Sequence, residues 1–196
     1  MYARSAATIS AILAAAQRLF LDQNYADVTM GDIAEAAQVT KGALYHHFAS
    51  KEALYLAMMH ADLEEKRALI GQAVDSPGTC GERLRRLTLN FLELPPATRD
   101  LIRLVRRDIN IFRDPLRAEL VRAYQAALPE QVEQIVRDGL RSGELAPADA
   151  RLLAWEFVAM VEVVLSRYAG QVLKNHEQMA EFVMGLFYNG ATGRET

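Results

Sequence analysis

The stretch TMGDIAEAAQVTKGALYHHF, residues 29–48, carries the pattern that decides the fold. Thr29 and Thr40 each precede a run with helical spacing, and a threonine oxygen caps a helix by accepting from a backbone amide two or three residues on. Asp32 stands three residues after Thr29, which is the spacing of a capping box. The pattern predicts two short helices joined by a three-residue turn, the connection length of a helix-turn-helix.

The outer positions of this stretch favour contact with an anion. Lys41 and Lys51 each stand at the first position of a predicted helix, where positive charge opposes the helix dipole. That placement makes sense if phosphates approach both helix ends, although both lysines could simply be exposed. Tyr45, His46 and His47 favour the first interpretation, because their polar groups suit phosphate oxygens and base edges. The small residues after the first lysine would let the helix approach a groove floor.

The pattern of the remaining chain predicts helix, so we expect an all-α protein. Ala, Leu, Glu, Arg and Gln dominate, apolar residues recur at a spacing of three to four, and no hairpin signal is flanked by alternating residues. Pro129 should kink or split the helix that contains it. The predicted helices cover residues 5–22, 30–37, 41–47, 51–74, 80–93, 97–112, 115–142, 148–170 and 175–190.

Composition excludes several classes of protein. The 196 residues carry a net charge of −3, so the chain cannot coat nucleic acid by bulk charge. One cysteine, Cys80, excludes an internal disulfide framework and a multi-cysteine zinc site. We expect Cys80 to be an inert thiol, with a redox sensor as the alternative, since its position near a helix start could lower the thiol pKa. No metal and no cofactor are expected.

No apolar run is long enough to span a bilayer, so we expect no membrane partner and a cytoplasmic location. Residues 6–16 are apolar enough to resemble a signal-peptide core. Their helical spacing continues past Arg18, however, which favours an amphipathic helix. The sequence also lacks a P-loop, a Gly-x-Ser-x-Gly elbow and a Gly-x-Gly-x-x-Gly loop, and we expect no enzyme activity.

The N-terminal third resembles the TetR family of bacterial transcriptional regulators. The residues that carry the resemblance are Ala16-x-x-Leu19-Phe20, Tyr25, Val28-Thr29, Ile33-Ala34, Ala37, Val39-Thr40-Lys41-Gly42, Leu44-Tyr45, His47-Phe48 and Lys51-Glu52-x-Leu54. The resemblance implies a three-helix helix-turn-helix DNA-binding domain over residues 1–50, followed over residues 51–196 by a helical effector-binding and dimerisation bundle.

The resemblance also implies how DNA is bound. The helix at residues 41–47 would be the recognition helix of a homodimer on a near-palindromic double-stranded operator. Thr29, Lys51, Tyr45 and His46 would hold the backbone, and the first three residues of the helix would face base edges. The expected DNA-contacting set is Thr29, Met30, Thr40, Lys41, Gly42, Ala43, Tyr45, His46, His47 and Lys51.

Two residues depart from the family pattern. Asn24 and Gln38 stand where glycine is usual; asparagine tolerates the left-handed conformation, whereas Gln38 would cost about 1 kcal/mol if it adopts it. The first sixty residues hold four Lys and Arg against five Asp and Glu. We therefore expect weak non-specific DNA affinity and a modest salt dependence.

The C-terminal part should sense an unknown small-molecule effector. Residues 152–165 are apolar nearly all round, which indicates burial on more than one face, in a dimer interface or in the monomer core. The expected dimer contacts are Val161, Val164, Leu165, Phe182 and Leu186. The expected effector lining is Phe91, Leu94, Val105, Ile109, Phe112, Tyr124, Trp155 and Met160, several of which could be plain core.

Charged groups in this part have two interpretations. Glu156 and Glu162 interrupt the apolar helix and should reach water or pair with an arginine; the alternative is contact with a ligand. A basic stripe that includes Arg99 and Arg107 should be a solvated face, with an anionic dock for an acyl-CoA as the alternative.

The function expected from these patterns is a repressor released from its operator by a small, largely apolar ligand that shifts the helix at residues 51–74. Two alternatives stay open. One is a ligand-blind regulator gated by a protein partner. The other is an all-α hydrophobic-ligand binding protein, for acyl-CoA among other ligands, with a degenerate DNA module.

Overall fold

The computed structural model describes the backbone of residues 2–191, and the side chains of that range apart from residues 2–4, 97, 98, 101–103, 106, 190 and 191. Every regular element in this range is an α-helix, which confirms the all-α prediction. The eleven described helices are α1 Tyr2–Asp22, α2 Met30–Ala36, α3 Lys41–His47, α4 Lys51–Val74, α5 Cys80–Leu92, α6 Pro96–Asp108, α7 Leu116–Ala127, α8 Pro129–Ser142, α9 Ala150–Val164, α10 Arg167–Val172 and α11 His176–Ala191.

The caps predicted around the helix-turn-helix are confirmed. The amide of Asp32 donates to Oγ1 of Thr29 at 3.2 Å, and the amide of Thr29 donates back to Oδ2 of Asp32 at 2.8 Å. Thr40 accepts from the amide of Ala43 at 3.1 Å at the start of α3. Because each cap satisfies backbone donors that have no partner inside the helix, the two short helices begin where the sequence places them.

Two long predicted helices divide in the structure. Pro129 begins α8 and splits the 115–142 stretch, as predicted. The 148–170 stretch also divides, which the periodicity did not predict: α9 ends at Val164, and the Ser166 oxygen accepts from the amide of Ala169 at 3.1 Å to begin α10. Serine prefers a helix start to a helix interior, because its side chain competes for backbone hydrogen bonds.

The chain forms two compact units. Unit 1 comprises residues up to Leu63 together with Pro95–Ala123, and unit 2 comprises Glu64–Leu94 and the chain from Tyr124 onward. Unit 1 therefore extends beyond residue 50, where we placed the end of the DNA-binding domain, because α6 and the part of α7 up to Ala123 fold with the N-terminal helices. Whether residues 1–50 act as a separate functional domain stays a prediction.

Aromatic and aliphatic side chains fill the core of unit 1. Phe20, Tyr25, Tyr55 and Phe112 are buried, and their rings pack with neighbouring centroids 5.0–5.7 Å apart. Beneath the helix-turn-helix the buried side chains are Val28, Met30, Ile33, Ala34 and Leu44. This small core fixes α2 against α3 and leaves the opposite side of α3 uncovered by the rest of unit 1.

The core of unit 2 lies between long helices. α9 packs on α8, and α11 packs on both α5 and α9. The rings of Phe157 and Phe187 meet edge to face, with centroids 5.2 Å apart. No helix among residues 2–191 is long and apolar enough to cross a membrane.

Candidate nucleic-acid interface

One side of α3 is buried and the other side is open. Leu44 is fully buried and Phe48, which follows the helix, is 8% exposed. Tyr45 is 52% exposed, and Lys41 and His46 are exposed beside it. An aromatic side chain that is half exposed to water contributes little to the stability of the fold. The exposed side of α3 is therefore available to contact another molecule.

Gly42 lies on α3 with open space around it. A Cβ built at this residue meets only Oγ1 of Thr40, at 4.0 Å, and the glycine has ordinary helical geometry. Glycine in a helix is less stable than alanine by roughly 0.5–1 kcal/mol. Neither space nor backbone conformation within the chain therefore requires a glycine here.

Lys41 lies back toward the start of α2. Its Cε and Nζ atoms lie 3.1 and 3.2 Å from where a Cβ on Gly31 would be. The pKa of the Asp32 carboxyl is lowered, mainly by hydrogen bonds from Thr29 and in smaller part by the charge of Lys41. The cation thus has a compensating carboxylate nearby, and its expected contact with base edges stays a prediction.

Lys51 has an internal role that the sequence reasoning missed. Its Nζ donates to the backbone carbonyl of Tyr25 at 2.7 Å and to that of Val28 at 2.9 Å, and it lies 4.2 Å from the centre of the Tyr25 ring. These bonds explain a lysine at the start of α4 without a phosphate. A contact between Lys51 and the DNA backbone stays a prediction.

The other residues expected to contact DNA are buried to different degrees. Thr29 and Thr40 are exposed, whereas Ala43 and His47 are half-buried. Met30 is 8% exposed, so its side chain belongs to the core and only its backbone remains for a ligand. Nine of the ten residues are thus exposed or half-buried, and their contact with DNA stays a prediction.

The turn between α2 and α3 is left-handed at the position where we expected a cost. Gln38 has a φ of 55° and is the one non-glycine residue in the described range with a positive φ. Asn24 does not share this conformation; its Nδ2 donates to Oδ2 of Asp27 at 3.0 Å. The departure from glycine is therefore strained at Gln38 and unstrained at Asn24.

The expected effector residues divide between the two units. In unit 2, Phe91 and Tyr124 are buried, and Trp155 and Met160 are half-buried like Leu94. In unit 1, Val105 and Phe112 are buried and Ile109 is half-buried.

Tyr124 and Trp155 are brought together in unit 2. Their ring centroids lie 6.1 Å apart, and the Tyr124 hydroxyl donates to Oε1 of Glu162 at 2.9 Å. Phe112 instead completes the aromatic core of unit 1. A common effector site for these residues stays a prediction.

The expected dimer residues also differ in exposure. Phe182 and Leu186 on α11 are 51% and 55% exposed, which fits contact with a partner. Val161 and Val164 are buried in unit 2, because they lie on the side of α9 that packs in its core, and Leu165 is half-buried. Leu152 and Val163 belong to the apolar run expected at an interface or in the core, and both are exposed on α9.

The structure also bears on two further expectations, which concern the Cys80 thiol and the basic stripe. Burial raises the pKa of the Cys80 thiol to about 11, so the lowering that its helix position suggested is wrong. Arg107 is not a free member of a basic stripe, since it binds Asp108 and two backbone carbonyls. The described residues hold no group of three or more His, Cys, Asp or Glu side chains that could bind a metal ion.

Comparisons with known proteins agree with this architecture. The family described as "Bacterial regulatory proteins, tetR family" matches residues 12–58, and the "Tetracyclin repressor-like, C-terminal domain" matches residues 77–191. Over 157 residues the chain is 30% identical to the HTH-type transcriptional activator FasR of Mycolicibacterium smegmatis, which covers 80% of this chain and 69% of that protein.

Two solved structures share the fold. One is the transcriptional regulator FadR from Bacillus subtilis in complex with stearoyl-CoA, with a TM-score of 0.78, 17% identity and coverage of 92% of this chain and 98% of that one. The other is AibR in complex with isovaleryl coenzyme A and operator DNA, with a TM-score of 0.78, 23% identity and the same coverage of 92% and 98%. The matches span both the helix-turn-helix and the C-terminal helices, and the chain therefore belongs to the TetR family of bacterial transcriptional regulators.

Proposed function

We propose that the chain is a cytoplasmic homodimeric repressor that binds a near-palindromic operator through α3 and leaves it when a small, largely apolar ligand binds. The observation that carries the proposal is the uncovered side of α3, where Lys41, Tyr45 and His46 are exposed around a glycine. In a dimer, two copies of α3 would enter successive major grooves about 34–36 Å apart.

Gly42 supports this reading of α3. A side chain at this position has room within the chain, so the advantage of glycine must come from outside it. A helix that enters the major groove approaches base edges closely, and the missing Cβ permits that approach. Tyr45 and His46 flank the approach with groups that bind phosphate oxygens.

The effector side of the proposal rests on the aromatic pair in unit 2. Tyr124 and Trp155 place two large aromatic rings side by side, and the Tyr124 hydroxyl donates to Glu162. Ligand sites in proteins are mostly apolar with a few placed polar groups, as this arrangement is. FadR and AibR were solved with stearoyl-CoA and isovaleryl-CoA, so an acyl-CoA is the first ligand class to test on this chain.

The first experiment measures fluorescence anisotropy of the full chain on DNA from upstream of its own gene, and on sites selected from a random-sequence pool. We expect saturable binding that exceeds binding to scrambled DNA, and at least a tenfold loss for Lys41→Ala, because the contact is charged. Lys174→Ala is the matched control, since Lys174 is an exposed lysine outside the helix-turn-helix. Equal loss in both variants, or no selected site, would overturn the proposal in favour of the hydrophobic-ligand binding protein.

The second experiment adds isovaleryl-CoA or stearoyl-CoA to the protein–operator complex and to the free protein. Release of DNA together with a raised melting temperature is expected of a ligand that binds the free state more tightly. If neither ligand changes either quantity, these two acyl-CoAs are excluded as effectors, and a broader screen without any shift favours gating by a protein partner.

A transcription assay decides between repression and activation. FasR is an activator, so activation is the specific alternative that a relative supports. We expect transcription from a promoter that carries the selected operator to fall when the chain is present. A rise would assign the chain as an activator.

A further inference from the structure

Cations from two other helices of unit 1 hold the connection between α1 and α2, residues 23–28. Lys51 binds its later part through the two carbonyls described above. Arg107, near the end of α6, binds the preceding end of α1: its Nη2 donates to the carbonyl of Phe20 at 3.1 Å and to that of Gln23 at 3.4 Å. The last carbonyls of a helix lack partners within it, and a cation there is favourable to the helix dipole.

The guanidinium of Arg107 is itself held by a buried carboxylate. Its Nε donates to Oδ1 of Asp108 at 2.6 Å, and its Nη2 donates to Oδ2 at 2.9 Å. Asp108 is 2% exposed and also accepts from the hydroxyl of Tyr55 on α4 at 2.9 Å. Burial and then the charge of Asp108 raise the pKa of Tyr55, so its hydroxyl remains a donor. We call Arg107, Asp108 and Tyr55 the α6 latch.

The α6 latch joins three helices that are far apart in sequence. Arg107 and Phe20 are 87 positions apart, and Tyr55 and Asp108 are 53 positions apart. The α6 latch therefore connects α6 to the end of α1 and to α4 in one hydrogen-bond network.

The chain path connects this network to the helix-turn-helix and, in sequence, to the segments of unit 2. The segment Pro95–Ala123, which contains α6, belongs to unit 1 but is preceded and followed in the chain by residues of unit 2. The end of α1 that Arg107 holds leads through residues 23–28 into Thr29, the cap of α2.

We propose that Arg107 and Asp108 are positioning residues for operator binding, which hold the α1–α2 connection in the orientation that lets α3 reach DNA. The inference rests on the proposed function and deepens it, since it identifies residues outside the helix-turn-helix on which operator binding depends.

If Arg107 and Asp108 only stabilise the fold, the expected result of the substitution is different. Loss of the ion pair lowers the melting temperature, but the protein that remains folded still binds operator with the original affinity. A positioning role predicts lower operator affinity in fully folded protein. Binding must therefore be measured well below the melting temperature of each variant.

The test compares Arg107→Met and Tyr55→Phe with controls from unit 2. Arg107→Met removes the bonds to Asp108 and to the α1 carbonyls, whereas Tyr55→Phe removes one hydroxyl and keeps the ring in the core. Arg137→Met and Tyr188→Phe are the matched controls, because Arg137 pairs with Glu133 and the Tyr188 hydroxyl donates to Glu144, both within unit 2. Arg107→Lys serves as the conservative variant and covers the case in which Arg107→Met fails to fold.

Two readouts are taken on full-length protein that circular dichroism shows to be folded. One is amide hydrogen exchange at residues 19–28, and the other is affinity for the selected operator and for scrambled DNA. We expect Arg107→Met to speed exchange in this segment and to lower operator affinity about tenfold, with scrambled DNA unaffected. Tyr55→Phe and Arg107→Lys should show smaller changes in the same direction, and the controls should show none.

Unchanged exchange and unchanged operator affinity in the folded Arg107 and Tyr55 variants would overturn the proposal. So would an equal effect of the unit 2 controls. If the wild-type protein selects no operator, the proposed function fails by itself. Hydrogen exchange at residues 19–28 still decides in that case whether Arg107 holds the end of α1.

Discussion

Two surfaces within the described part of the chain, one on α3 and one on α9 and α11, differ in chemistry. On α3, Tyr45 is half exposed among polar neighbours, with a glycine at the second position of the helix. On α9 and α11, three apolar side chains, Val163, Phe182 and Leu186, are each more than half exposed. A polar surface, with a glycine that leaves room for close approach, suits a hydrated and charged partner such as DNA. An apolar surface suits a partner that remains, such as a second copy of the chain.

The largest effect should come from the apolar surface. Phe182→Glu combined with Leu186→Glu would place two carboxylates in the proposed dimer contact. We expect a monomer by analytical ultracentrifugation and a loss of operator affinity of at least about 100-fold, because the second half-site no longer binds in the same event. Val172→Glu is the control, since Val172 is 56% exposed on α10, outside the proposed contact. A double variant that remains dimeric would assign the dimer to another surface.

The two lysines at helix starts should separate affinity from stability. Lys51→Met leaves the carbonyls of Tyr25 and Val28 without their donor, so we expect a loss of about 1–3 kcal/mol in the free energy of unfolding. Lys41→Met should change that energy by less than about 0.5 kcal/mol, because the side chain is exposed. Its operator affinity should nevertheless fall. Urea denaturation and anisotropy measure the two quantities, and the reverse pattern would exchange the roles assigned to the two lysines.

The smallest effect concerns the turn between the helices. Gln38→Gly should raise the free energy of unfolding by up to about 1 kcal/mol, since glycine adopts the left-handed conformation without the Cβ clash. Asn24→Gly is the comparison: Asn24 has no positive φ, so the same substitution should bring no gain. Equal gains at both positions in urea denaturation would remove strain as the explanation for Gln38.

The helix-turn-helix could be predicted because its signals are local. Thr29 and Asp32 lie three positions apart, and the hydrogen bonds between them define where α2 begins. The same holds for Thr40 and Ala43 at the start of α3. Capping depends on spacing alone, so it requires no knowledge of the tertiary structure.

Long-range partners could not be predicted in this way. Lys51 and Tyr25 are 26 positions apart, and Arg107 and Phe20 are 87 positions apart. Local spacing of residues therefore cannot predict either hydrogen bond. The same limit applies to α9, where the apolar run did not reveal that Val161 faces the core and Val163 faces outward. Such assignments depend on which helix packs on which side, and periodicity leaves that choice open when a helix is apolar nearly all round.

The most direct test of α3 as the DNA-reading surface is Gly42→Ala, measured for stability and for operator affinity on the same sample. Alanine has room within the chain and favours helix, so the free energy of unfolding should rise by up to about 1 kcal/mol. In the proposed complex the added methyl group would face the groove, so operator affinity should fall about tenfold or more, while affinity for scrambled DNA changes little. Gly170→Ala, also with open space around its Cβ, should be neutral for DNA binding. A Gly42→Ala protein that is more stable and binds operator as tightly as the wild type would contradict the account.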